Sequence, residues 1–186
     1  MSTSAIYSQT DFPAVLKWQA IAFMRMEWSY IFTEDQDGKY VSETYPVEFQ
    51  PVHFVVTEGD TLISYAATIR ENIEHTNRSY KVCGLGNVFT FPPYRREGNG
   101  SKVVELATNT IKESEVDVAI LFCDRLNAPF YAKAGWISTS SPTYITHSKN
   151  DHEIHDEQRM MLFISDKGKQ GQRDFEQQPV YLDWTW

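Results

Sequence analysis

Two short stretches of this 186-residue chain combine residue types that can manage charge. The first is Arg95, Arg96, Glu97, Gly98, Asn99, Gly100, Ser101 and Lys102, which comes shortly after the apolar run Val88-Phe89-Thr90-Phe91 and opens a segment of helical spacing. A strand that turns through glycines into a helix aims several backbone N–H groups and the positive end of the helix dipole at one point, where an anion is stabilised. Gly98 and Gly100 lack a β-carbon, so a phosphate oxygen can approach the backbone, and Arg95 and Arg96 add positive charge. The spacing is neither Gly-x-Gly-x-x-Gly nor Gly-x-x-x-x-Gly-Lys followed by Ser or Thr, which excludes the common dinucleotide and triphosphate loops. A turn with two solvated arginines would account for the same residues on its own.

The second stretch is Leu126-Asn127-Ala128-Pro129-Phe130-Tyr131-Ala132-Lys133-Ala134-Gly135-Trp136, after the strand-like run Val116-Asp117-Val118-Ala119-Ile120-Leu121-Phe122-Cys123. Pro129 suits a first helical turn and Gly135 a helix stop, so a short helix leaves a strand end. Arg-x-x-Gly-x-Gly after one strand and Asn-x-x-Phe-Tyr-x-x-x-Gly-Trp after the next together resemble the GNAT superfamily of N-acetyltransferases, over roughly Val52 to Trp136.

The resemblance implies a single domain over residues 1–186 of α/β (α+β) class. Its sheet would be mixed and mostly antiparallel, flanked by helices, with a parallel, splayed strand pair at the cofactor cleft. It implies acetyl-CoA as cofactor, with Arg95, Arg96, Glu97, Gly98, Asn99, Gly100 and Ser101 receiving the pyrophosphate. Backbone groups of Val88, Phe89 and Thr90 would pair with the pantetheine arm like an added strand. Asn127 would face the cofactor, and Tyr131 stands where many members carry the acid that protonates the departing thiolate. A buried core tyrosine is the competing reading of Tyr131.

Acyl transfer from a thioester to an amine needs a neutral amine, a polarised carbonyl and a protonated leaving sulfur. A backbone N–H on a bulged strand could hold the developing oxyanion, and Gly84, Gly86 and Asn87 are permissive enough for a bulge there. The base is harder to place, because the position that often carries it in the family falls at Gly86, beside Asn87. Either water relays the proton to Glu71 or Glu74, or the amine arrives neutral; a solvated strand or hairpin end is the competing, favoured reading of both carboxylates. The ending Tyr181-Leu182-Asp183-Trp184-Thr185-Trp186 is similar to that of aminoglycoside 2′-N-acetyltransferases. That likeness implies that Asp183, the carboxylate of Trp186 and Asp151 bind a cationic acceptor; an aromatic tail docked to bury two tryptophans is the alternative.

These residues need a scaffold. Asp11 is placed to cap a helix with Pro13 in its first turn that runs to near Trp28, along which Met24, Met26, Trp28 and Tyr30 belong to core or pocket. A polar loop over residues 33–50 precedes strands at 52–57 and 62–69, joined through Glu58-Gly59-Asp60. Arg159 to Ser165 offers another strand, and the run from His147 to Glu157 reads as a solvated loop in preference to a metal site.

The formal net charge of −8 argues against a nucleic-acid partner and suits a cationic small-molecule acceptor. Cys83 and Cys123 read as reduced core residues; without a signal peptide or a membrane-length apolar run, the expectation is a cytoplasmic protein with no membrane partner. The function expected is acetyl-CoA-dependent N-acetylation of a small-molecule primary amine by direct attack in a ternary complex. The alternative is a noncatalytic acyl-CoA-binding sensor.

Overall fold

The computed structural model describes residues 2–28, 42–148, 151–184 and 186. The polar run at 34–39 and Tyr30 lie outside the described residues. In chain order the elements are β1 (Thr3–Ser8), α1 (Ala14–Glu27), β2 (Val52–Glu58), β3 (Thr61–His75), β4 (Arg78–Thr90), α2 (Asn99–Lys112), β5 (Val118–Cys123), α3 (Ala128–Ala132), β6 (Ile137–Ser138), β7 (Thr143–Ser148), β8 (Asp151–His155), β9 (Gln158–Phe163), α4 (Asp166–Gln177) and β10 (Val180–Leu182). This is the mixed α/β class expected, with a mostly antiparallel sheet and parallel strand pairs. The chain resolves into two compact units, Met1–Ile69 with Asn87–Leu106 and Arg70–Gly86 with Ala107–Trp186, so β3, β4 and α2 each contribute to both.

In the first unit β1, β2 and β3 form an antiparallel meander, with Gly59 (φ +57°) supplying the left-handed turn residue between β2 and β3. α1 buries Leu16, Ala20, Ile21, Phe23 and Met24, while Met26 is 76% exposed. Asp11 does not cap this helix. Its carboxylate accepts from Ser8 Oγ at 2.5 Å in the preceding turn, and Pro13 fills the cap position, where no N–H is required. The core is an aromatic file in which Phe12 stacks on His53 (4.2 Å) and Phe23 on Phe89 (4.1 Å), with Tyr65 between them.

His53 is fully buried within that file. Gln9 Nε2 donates to Glu43, which leaves Gln9 Oε1 to accept from His53 Nε2–H at 2.6 Å. His53 Nδ1 therefore accepts from the Tyr65 hydroxyl at 2.8 Å. Burial, and secondly the Lys17 charge, lower the His53 pKa to about 4.

In the second unit β3 runs six residues beyond its expected end at Ile69. Thr76 (φ +49°) and Asn77 (φ +61°) supply the two left-handed residues of the tight turn leading to β4. β4 then pairs in parallel with β5 at Val82↔Val118, Cys83↔Ala119 and Gly84↔Ile120. β5 pairs along its length with β9, and β9 with β6. The 147–157 run, expected as a loop, holds the end of β7 and all of β8, which form an antiparallel hairpin in a separate β10-β7-β8 sheet.

Ile73, Tyr80, Val82, Val118, Ile120, Met161, Phe175, Val180 and Leu182 make one core cluster. Cys83 and Cys123 are both buried. α4 approaches this core closely because Gly168 and Gly171 carry no side chain; a β-carbon there would strike the Asp117 carbonyl and the Tyr80 hydroxyl. Asp117 anchors the same corner. Burial alone would raise its pKa, but the Ser165 hydroxyl (2.6 Å), the Lys81 N–H (2.9 Å) and Lys167 (3.1 Å) hold the carboxylate below its ordinary range. No helix among the described residues is long and apolar enough to cross a membrane.

Candidate functional site

The turn at 95–98 has the backbone that its sequence suggests. Arg96 (φ +69°) and Gly98 (φ +81°) are both left-handed, which lets the chain reverse sharply into the 14-residue helix α2. A β-carbon at Gly98 would meet nothing within 4 Å, so the space beside the turn is open. α2 has no acidic residue in its first turn to compete with an anion for its N–H groups. Arg95 Nε donates to the Thr90 carbonyl at 2.9 Å, so this arginine is partly spent on tying the turn to β4. Asn99 is 5% exposed and donates through Nδ2 to the Tyr94 carbonyl at 3.1 Å, while Glu97 lies exposed. Gly100 and Ser101 continue the first helical turn. These features fit a diphosphate bound to backbone donors, with Arg96 the more available cation.

Val88, Phe89 and Thr90 form the last three residues of β4. The Phe89 carbonyl accepts from Ser64 Oγ at 2.8 Å and the Phe89 side chain belongs to the core, whereas Val88 and Thr90 are half-buried. Just before them Asn87 takes φ +52°, a left-handed backbone at one of the three residues expected to permit a bulge. Its Nδ2 is buried and has no hydrogen-bond partner among the described residues.

In the second unit α3 follows β5 as anticipated, with Pro129 in its first turn and Gly135 (φ +96°) after its end. Asp124, not Asn127, makes the capping bond here, accepting from Leu126 N at 2.7 Å, and Asn127 is exposed. Tyr131 is 8% exposed. Burial, then the nearby Cys123 and Glu157, raise its pKa, so its hydroxyl keeps its proton across the neutral range. Cys123 is likewise pushed up, to about 11, and behaves as an inert thiol.

The tail is docked beside the Gly84↔Ile120 pair of β4 and β5. Trp186 Nε1 donates to the Ile120 carbonyl at 3.2 Å and its ring packs against Gly84 and Phe122. Trp184 meets Trp186 edge-on (5.8 Å) and donates through Nε1 to Glu71 Oε1 at 2.9 Å. Burial raises the Glu71 pKa, the Trp184 bond lowers it and Asp183 raises it, for a net rise. Asp183 is exposed; Asp151 begins β8, in the three-stranded sheet, and is exposed too. The Gly84 cradle and the Glu71–Trp184 bond were not foreseen, because both partners lie far in sequence from the two tryptophans.

A cavity of about 370 Å³ in this unit is lined by Arg125, Ser140, Ser141, His155, Glu157 and Arg159, among others. Arg159 is 2% exposed and is held by neutral oxygens of Thr139, Ser141, Pro142, Thr143 and Phe175. Among the described residues no group of three His, Cys, Asp or Glu side chains is placed to hold a metal.

A family model described as an acetyltransferase (GNAT) domain matches residues 7–138. The chain belongs to the GNAT acetyltransferase family. Among solved structures, this GNAT chain is similar to Escherichia coli ElaA, at 14% identity and TM-score 0.60 over 87% of this chain and 99% of that one. A Brucella melitensis GNAT family acetyltransferase in complex with acetyl-CoA aligns at 14% identity and TM-score 0.56, over 88% of this chain and 89% of that one. An Enterococcus faecalis protein described as a probable N-acyltransferase gives 16% identity and TM-score 0.52; the match covers 74% of this GNAT chain but 33% of that longer one. No curated protein sequence matches the chain.

Proposed function

We propose that this GNAT chain is an acetyl-CoA-dependent N-acetyltransferase that acetylates a primary amine of a cationic small molecule by direct attack within a ternary complex. The observation that carries the reading is the left-handed turn at Arg96 and Gly98 opening into α2, which offers backbone donors to a pyrophosphate. Val88 and Thr90, half-buried at the end of β4, would flank the pantetheine arm, and Asn127 would contact the cofactor from the start of α3. Bound acetyl-CoA supplies an acyl carbon whose bond to sulfur breaks as the bond to the amine nitrogen forms. Tyr131 Oη gives its proton to the departing sulfur and regains one from the nitrogen, so the protons balance.

Asp183 and Asp151, exposed carboxylates, are proposed, together with Trp186, to receive the acceptor, for which an aminoglycoside is one candidate. The test is thermal stability with and without acetyl-CoA, with free thiol followed in the same samples over a panel of amines that includes aminoglycosides and polyamines. Stabilisation with thiol release on one amine class supports the transferase. Stabilisation without release on any amine favours a noncatalytic acyl-CoA sensor, and no stabilisation at all overturns the cofactor assignment.

A further inference from the structure

His155 is the last residue of β8 and lines the cavity of about 370 Å³ together with Glu157, Asp156 and Arg125. Its ring is held edge-on to Phe122 of β5, with centroids 4.6 Å apart. The two ring nitrogens differ. Nε2 is closed off and faces the Glu157 carboxylate at 3.4 Å, too poorly aligned for a hydrogen bond, whereas Nδ1 is neither closed off nor bonded among the described residues. The side chain keeps 18% of its surface, so the open nitrogen of the ring is Nδ1. A neutral imidazole with its proton on Nε2, toward the carboxylate, presents a lone pair at Nδ1. The carboxylate then stabilises the imidazolium that forms when Nδ1 takes a proton.

The turn after His155 leads back to the elements that carry Tyr131. Gln158, next to Glu157, pairs with Cys123 at the end of β5, from which the chain passes through Arg125 into α3 and Tyr131. Burial first, and then neighbouring groups that include Glu157 in both cases, raise the pKa of Tyr131 and of Cys123. Cavity, histidine and tyrosine all belong to the second unit. Resting on the N-acetyltransferase reading above, we propose that this cavity receives the acceptor's amino group and that His155 is the general base, taking a proton from the ammonium at Nδ1 while Glu157 orients the ring. The N–H bond of the ammonium breaks and the Nδ1–H bond forms; the electron pair freed on nitrogen then attacks the acyl carbon. Tyr131 Oη receives the nitrogen's next proton, and His155 gives its own to water. Arg125 and Arg159 also line the cavity, opposite in sign to Asp156 and Glu157, and like charge near an ammonium favours its neutral form.

The test uses the full chain and the amine that releases the most thiol in the panel. Stabilisation by acetyl-CoA and turnover are measured for the unmodified chain, His155→Ala, His155→Gln and Tyr131→Phe, with and without added imidazole. Imidazole replaces a missing base and cannot mend a displaced wall, so rescue separates a catalytic role from a structural one. His155→Ala is expected to be stabilised by acetyl-CoA like the unmodified chain, to turn over about 10²-fold more slowly, and to regain about tenfold in imidazole. His155→Gln, which fills the space of the ring, should be as slow without rescue, and imidazole should leave Tyr131→Phe unchanged. Turnover of either His155 variant at the unmodified rate would overturn the proposal, as would a loss in His155→Ala that imidazole does not relieve. In both cases the unmodified chain still acetylates the amine, and the transferase reading stands. If acetyl-CoA stabilises the chain but no amine releases thiol, the transferase reading fails and the proposal with it; if acetyl-CoA does not stabilise the chain, the cofactor reading fails first.

Discussion

Trp186 lies against Gly84 so closely that a β-carbon at Gly84 would overlap the indole ring. The indole also donates to the carbonyl of Ile120, the residue paired with Gly84 in the β4–β5 register. Gly84→Ala should therefore displace the ring and cost roughly 1–3 kcal/mol, the usual penalty of overpacking. Denaturant unfolding would register the loss, and a red-shifted tryptophan emission would report the exposed indole.

Tyr131 tests the chemistry separately from binding. Tyr131→Phe removes the hydroxyl and keeps the buried ring, so stabilisation by acetyl-CoA should persist while turnover falls by about 10²-fold or more, the scale of a lost general acid. Unchanged turnover would return Tyr131 to a core role.

Histidine protonation should erode the first unit in mild acid. His53 is neutral when folded, with a pKa near 4, and ordinary when unfolded, near 6.5. The unfolded chain thus takes up a proton between these values, and stability present above pH 6.5 is lost as pH falls toward 4. The loss approaches about 3 kcal/mol. Urea unfolding at pH 7.5 and pH 5, compared between the unmodified chain and His53→Gln, should show a weaker pH dependence in the variant.

Glu71 carries the opposite sign. Its pKa is raised by burial and by Asp183, so the protonated form is favoured in the folded state and stability falls as pH rises past the ordinary glutamate range. Glu71→Gln retains an oxygen to accept from Trp184 Nε1 and removes the charge. A higher melting temperature for the variant at pH 8, with little difference at pH 4, is expected; the reverse order would reject this account.

Legibility followed the strength of local signals. The β2–β3 hairpin and the Pro129–Gly135 helix were visible because alternation, a proline and left-handed glycines mark them directly. α4 was not: DKGKQGQRDFEQ is polar and holds two poor helix formers, yet Gly168 and Gly171 are the places where the helix touches its neighbours. The extension of β3 was missed because Arg70-Glu71-Asn72 is polar, and the left-handed turn that closes it uses Thr76 and Asn77, with no glycine. In the candidate site, the turn at 95–98 was legible from its glycines. The unpaired amide of Asn87 and the seat of Trp186 depend on positions far apart in sequence, which spacing cannot reveal.

Dissolved ions weaken attractions between opposite charges, and the Lys17–Glu43 pair of the first unit is of that sort. Arg159 is different. Its guanidinium is gripped by hydroxyls and carbonyls, which bear no net charge, and burial lowers its pKa only to about 10. Ionic strength has little to screen there, and neutral pH cannot discharge it. The corner that Arg159 holds together is therefore built to ignore the two solution variables, salt and modest acidity, that act most readily on the rest of the molecule.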